Sequence, residues 1–253
     1  MDTPYSTLLL YSLAGVLGVT NMILWGVYAD LLVETFHWRK VFRSYLLAVI
    51  YAFVLALTYP SLNLVIVALS IIGLERISTE IYKAFIRVEN QDKYKIPSHL
   101  GIHWPSPIKR CVGVLLHIVL ISIWFIHFPA LSMISKIIIV ILTGLSIALG
   151  GMLKDAPYEG FDGLKFWRSP SVTVFAGVVL GLLFPDLDPL PYAFSIGGLE
   201  RIMSECYKKI LTSKIPGKFH DTLPRNKSWS NKRNIILPFY VANLLSILAL
   251  YWI

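Results

Sequence analysis

The sequence predicts an all-α, polytopic membrane protein with about eight transmembrane helices, organised as two parallel four-helix repeats. Three observations predict it. The chain is 56% hydrophobic over 253 residues, with mean hydropathy +0.65. Its apolar stretches are long enough to cross a ~30 Å hydrocarbon core, and they lack the strict alternation of barrel strands. Most tellingly, the two halves carry the same charged residues at the same spacing.

The repeat is read directly from the residues. Gly73-Leu-Glu-Arg-Ile-Ser-Thr-Glu-Ile-Tyr-Lys83 returns as Gly198-Leu-Glu-Arg-Ile-Met-Ser-Glu-Cys-Tyr-Lys208. At the same offset Asp30, Glu34, Phe36, Lys40, Arg43 and Ser44 return as Asp155, Glu159, Phe161, Lys165, Arg168 and Ser169. Trp104 returns as Trp229, and Lys109-Arg110 as Lys232-Arg233 after a small length change. The repeats therefore divide the chain into 1–125 and 126–253. Four spans per repeat is an even number, so both repeats enter the membrane in the same direction. A pseudo-two-fold axis along the membrane normal is expected.

The spans follow in order. The first, 6–29, starts after Met-Asp-Thr-Pro without a basic region, so it reads as a retained span and not a cleaved signal. An acidic-then-basic segment leads into 44–59 and 61–75, a hairpin closed by Tyr59-Pro-Ser-Leu62. The second arm runs out into the Glu-Arg motif. A polar, Pro-containing linker, 88–108, is expected as ordered loop or short interfacial helix before the fourth span, 110–128. The second half repeats the plan with 132–153, 170–185, 190–206, a linker at 210–231, and 234–252. Short spans are expected to extend into their flanking turns.

Charge sets the orientation. Of the 23 Lys and Arg residues, 22 lie in the segments 30–43, 75–110, 154–169 and 200–233; Lys136 is the exception. The positive-inside rule makes that face cytosolic and both termini extracytosolic. Asn226-Lys-Ser228 then lies on the wrong side to be glycosylated. The net charge of +8 belongs to this one face, which suits anionic lipids or a protein partner. No nucleic-acid module is recognisable. Cys111 and Cys206 sit at cytosolic helix ends, where a disulfide is not expected.

The repeated ionisable residues are the candidate site. Arg76/Glu80 and Arg201/Glu205 are spaced to pair along their own helices. The bland reading is an ion-pair ladder where a span leaves lipid. Against it, residue types persist between repeats while lipid-facing positions diverged. In the segment 154–170, Pro157, Gly160 and Gly163 predict a shaped loop holding Asp155, Glu159, Lys165 and Arg168. Its counterpart, Ala29 to Ser44, lacks those residues and is expected to be more helical. Asp155, Glu159, Glu200 and Glu205 are the candidate acid/base residues, with Mg²⁺ as a candidate cofactor. Lys165, Arg168, Arg201, Tyr207 and Lys208 are the candidate ligands for a phosphate.

His117 reads as a packed histidine, and Asn21 and Asn243 as interhelical hydrogen-bond residues. Gly150-Gly151 reads as a close-packing or bending point. Lys109-Arg110 and Lys232-Arg233 read chiefly as topology signals. There is no Ser-His-Asp set, His-Glu-x-x-His motif or phosphate-cradling Gly loop. The acidic sets match neither the aspartate-rich pairs of membrane prenyltransferases nor the CDP-alcohol phosphotransferase signature. Three function classes follow. One is binding or transfer of an anionic lipid or polyprenyl-phosphate headgroup. The others are a transporter or channel built from parallel repeats, and a structural subunit of a membrane complex.

Overall fold

The computed structural model describes residues 4–87, 106–126, 132–208 and 226–253, and among them every regular element is helical. Helix α1 (Pro4–Asp30) is followed by α2 (Trp38–Thr58) and α3 (Leu64–Ile81), which runs on as a π turn, Tyr82–Ile86. Then come α4 (Ser106–Ser122), α5 (Met133–Glu159), α6 (Gly163–Leu183) and α7 (Pro189–Cys206). A short α8 (Lys227–Lys232) precedes α9 (Ile236–Ala249).

Six segments are long and apolar enough to cross a membrane: Tyr5–Asp30, Trp38–Thr58, Ser106–Phe125, Met133–Met152, Phe166–Leu183 and Lys227–Trp252. They mark an integral membrane protein. Their outer faces carry exposed Val, Ile, Leu and Phe, as lipid contact requires. The two long helices outside that set are α3 and α7, the ones with the Glu-Arg motif. Their charges would be costly against lipid, and they are the best shielded. Every residue of α3 from Leu64 to Glu75 is buried.

Helices α3 and α7 cross at glycine. A Cβ on Gly73 would strike the carbonyl oxygen of Phe194, and one on Gly198 that of Leu69. Only glycine lets the two backbones come this close. The other helices wrap this pair. Asn21 on α1 donates to Asn243 on α9 at 3.0 Å, and Trp25 packs on Tyr240 at 4.2 Å. Both asparagines thus do what their type predicts. His117 is bonded within its own helix, through Nδ1 to the Gly113 carbonyl at 2.8 Å, as a packed histidine would be.

The helices alternate in direction. At one end Tyr11 donates to the Tyr59 carbonyl, Asn63 donates to the Tyr251 carbonyl, Tyr59 meets Trp124, and Lys136 reaches the Pro185 carbonyl. The charged motifs gather at the opposite end.

Three sequence expectations change. The segment 154–170 is not a shaped loop. Helix α5 runs through Pro157 to Glu159, Gly160 stops it at φ +77°, and α6 begins at Gly163. Pro170 lies inside α6 and does not begin the span. Nearby hydroxyls re-bond the loosened turn: Ser171 donates to the Trp167 carbonyl and Thr173 to that of Pro170. Conversely, Leu31–His37 is the less helical copy. Tertiary contacts unwind it. Leu32 is buried, its carbonyl accepts from the Asn226 amide, and Lys40 reaches back to Glu34 at 2.6 Å. Helices α2, α4 and α6 all start earlier than the apolar runs, extending into charged sequence at the same end. Most of both linkers, Trp104 included, lies outside the described residues.

Substituting Gly198 by Ala should separate the central helices and cost about 3 kcal/mol, near the upper end for overpacking. Gly197→Ala is the control, because a Cβ there meets nothing within 4 Å. Thermal unfolding in detergent should show a large loss for the first and none for the second.

Candidate functional site

The crossing at Gly73 and Gly198 puts one turn of each Glu-Arg motif beside the other. Glu200 is 1% exposed and lies in the best-satisfied position. It accepts from Arg76 at 2.5 Å, from Ser204 at 2.6 Å and from Ser169 at 3.0 Å. Glu75, also buried, accepts from Ser44 at 2.7 Å and from Thr79 at 2.9 Å. A buried carboxylate needs this many donors, because desolvation without them costs several kcal/mol.

The serine contacts repeat between halves: Ser44 serves Glu75 as Ser169 serves Glu200, from α2 and α6 respectively. The arginines do not behave alike. Arg76 crosses to Glu200 and does not pair with Glu80, which instead holds Lys83 at 2.8 Å. Arg201 stays on its own helix, bound to Glu205 at 2.9 Å. The intrahelical pair expected from spacing is therefore present in the second copy and replaced by a cross-helix pair in the first. The reason is that the helix crossing brings Glu200 within Arg76's reach.

Two cavities flank this network. The larger, about 780 Å³, lies among α3, α5, α6 and α7. Its charged end holds Arg76, Arg168, Arg201, Lys208 and Glu200. Glu80 and Asp162 line it as well, and the remainder is mostly apolar, with Ile139, Leu142, Ile147 and Phe194 beside Thr143 and Ser146. The smaller, about 560 Å³, lies among α1, the Leu31–His37 segment, α2 and α3, with Arg43, Glu75, Lys83, Arg201 and Glu205.

Arg168 stands with its guanidinium carbon 6.0 Å from the centre of the Tyr207 ring. Its Nε is buried and has no hydrogen-bond partner among the described residues. An unmet buried N–H of this kind costs about 1–3 kcal/mol unless an acceptor is supplied. Beyond the end of α7, Lys208 is partly desolvated, with its side chain 41% exposed, and is crowded by Arg201, Arg168 and Arg76. Its ammonium is held down at about 8, although Glu205, 3.8 Å away, opposes the shift.

Of the predicted site residues, Arg168, Glu200, Arg201 and Lys208 come together at one cavity. Glu205 lines the other cavity, where it serves as the partner of Arg201. Tyr207 is half exposed and supports Arg168 from beside the cavity. Asp155 and Glu159 fall in the last turn of α5 and Lys165 in the first turn of α6; their side chains lie outside the described residues. Among the described residues no three His, Cys, Asp or Glu side chains are grouped to hold a metal ion.

Ser169 and Gly151 were missed as site residues, and Arg76 was read only as the intrahelical partner of Glu80. Ser169 was visible as a repeated residue, but its acceptor could not be. Gly150 and Gly151 are not a close-packing point. A Cβ on either meets nothing within 4 Å, because both face the larger cavity. Arg233, read as a topology signal, lies 4.8 Å from the Tyr28 ring centre and lines neither cavity. Both cysteines are free, as expected. No family model, curated protein or solved structure matches the chain.

The position of Lys208 can be measured by competitive acetylation with acetic anhydride across pH, read by mass spectrometry. Its reactivity should rise with a midpoint near 8, well below the usual ~10.4 of lysine. Glu205→Gln should lower the midpoint further and Arg201→Gln should raise it. A midpoint above 10 in the unsubstituted protein contradicts the crowded site.

Proposed function

We propose that this protein binds the phosphate headgroup of an anionic lipid, such as a polyprenyl phosphate, in the larger cavity from the cytosolic leaflet. The observation that carries the reading is the cavity's polarity gradient. Cations from α3, α6 and α7 collect at one end, and the apolar walls of α5 and α7 suit a hydrocarbon tail. Arg168 supplies a buried, unmatched guanidinium N–H, a strong donor to phosphate oxygen. Glu200 orients Arg76 and balances charge.

The architecture proposed with it is eight crossings in two parallel repeats, 1–125 and 126–253, related by a pseudo-two-fold along the membrane normal. Both termini are extracytosolic. The alternation of helix ends and the recurrence of the Ser–Glu contacts support this. Helices α3 and α7 cross as the shielded centre, which explains how they tolerate charge. Mg²⁺ belongs to the proposal only as a companion of the phosphate, with Asp155 and Glu159 as the acidic candidates from the sequence.

Transport is supported less. Asn21, Asn243 and His117 on the apolar spans each make a bond inside the bundle. A purely structural ion-pair ladder leaves the Arg168 Nε unexplained.

The test is retention of dioleoyl phosphatidic acid against phosphatidylcholine by the full chain, followed by native mass spectrometry. Arg168→Gln should weaken phosphatidic acid binding at least tenfold, and Arg168→Lys nearly as much, since lysine keeps charge without the planar fork. Gly151→Leu should block the lipid by filling the cavity while leaving thermal stability unchanged. Unaltered retention in all three, or no preference for phosphatidic acid, contradicts the reading.

A further inference from the structure

We infer that the smaller cavity is a second oxyanion site, built for the same phosphate-class chemistry as the first. The inference rests on the lipid-phosphate reading of the larger cavity and extends it to a part of the molecule that reading leaves idle.

Part of its lining recurs in the larger cavity, although Asp30 and Glu34 also line this one. Arg43, Ser44, Glu75 and Lys83 line it, and 125 positions later Arg168, Ser169, Glu200 and Lys208 line the other. The crosswise residues exchange as well. Arg201 and Glu205 enter the smaller cavity from α7, Arg201 lining both, while Arg76 and Glu80 enter the larger one from α3. Each cavity therefore draws its arginine-serine-glutamate-lysine set from one half and an arginine-glutamate pair from the other.

The decisive likeness is at the guanidinium. Arg43 lies 4.8 Å from the Tyr82 ring centre, as Arg168 lies beside Tyr207. Its Nε too is buried without a hydrogen-bond partner among the described residues. Two arginines held alike against tyrosine, each with a donor left over beside a cavity, call for the same acceptor. A phosphate oxygen is that acceptor. The glycines agree. Gly26 lines the smaller cavity and Gly151 the larger, and a Cβ on either meets nothing within 4 Å. Both positions keep space open where a side chain would fit.

The two sites differ in shape. Thr35, Phe36, His37 and Arg39 from the unwound segment line the smaller cavity, and its volume is about 560 Å³ against about 780 Å³. It suits a compact phosphate group, either a second lipid headgroup or a free phosphate or diphosphate. The shared chemistry is the oxyanion, and the experiment separates the sources.

The full chain is placed in phosphatidylcholine nanodiscs. Radiolabelled inorganic pyrophosphate binding is measured by equilibrium dialysis, and phosphatidic acid retention by native mass spectrometry. Two phosphate-bearing ligands per chain are expected. Arg168→Gln should remove one, and Arg43→Gln the other with at least a tenfold weakening. If Arg43→Gln does not fold, Gly26→Leu decides, since a Cβ there meets nothing within 4 Å and the side chain extends from a residue that lines the cavity. Loss of pyrophosphate in these first-half variants identifies a soluble ligand, and loss of a second phosphatidic acid identifies a lipid; either supports the site. A single ligand, lost with Arg168→Gln and untouched by Arg43→Gln or Gly26→Leu, overturns the second site and leaves the lipid reading standing. No binding of either probe to the unsubstituted chain overturns both.

Discussion

Everything at the charged end depends on the closeness of α3 to α7. Their glycines, Gly73 and Gly198, let each backbone rest on a carbonyl of the other helix, at Phe194 and Leu69. Two residues further along come Glu75 and Glu200, then Arg76 and Arg201. A wider crossing would leave Arg76 short of Glu200 and leave a carboxylate that is 1% exposed without its cation. Breaking such a buried pair by removing one partner commonly costs about 3–5 kcal/mol. The close approach therefore fixes both the packing and the electrostatics. It also accounts for the burial pattern, since helices with three charges each must be screened from lipid by their neighbours.

The network is not evenly shared. Arg76 reaches across, whereas Arg201 stays with Glu205, so Glu200 has an arginine hydrogen-bond partner while, among the described residues, Glu75 accepts from the hydroxyls of Ser44 and Thr79. The two sides of the crossing thus carry different charge balance despite matching residues. Larger apolar space lies on the Glu200 side, and the unwound Leu31–His37 segment lies on the Glu75 side.

Much of this was legible in the residues. Apolar length marked the helices, and the repeated Glu-Arg sets marked where buried charge gathers. Charge in α3 and α7 was legible too, yet its consequence was not: which carboxylate an arginine takes depends on a neighbour 124 positions away in sequence. Spacing alone favoured Glu80 for Arg76. Backbone breakers misled in the same way. Pro157 and Pro170 sit within helices, because one lost donor is cheap where hydroxyls or a helix end can compensate. The plainer segment after α1 unwound instead, drawn by Leu32, Asn226 and Lys40 into contacts that local propensity does not encode. Gly151 gave no signal, since an empty space has no sequence pattern.

The central claim is that Arg76 and Glu200 meet across the helix crossing. A double-mutant cycle measures it most directly, using unfolding free energies of the unsubstituted chain, Arg76→Gln, Glu200→Gln and the double variant. The account predicts a coupling of about 2 kcal/mol between them, within the range seen for contacting charged residues. The same cycle on Arg76 and Glu80 should give almost none. A coupling near zero for Arg76 and Glu200, with a large one for Arg76 and Glu80, would contradict the account.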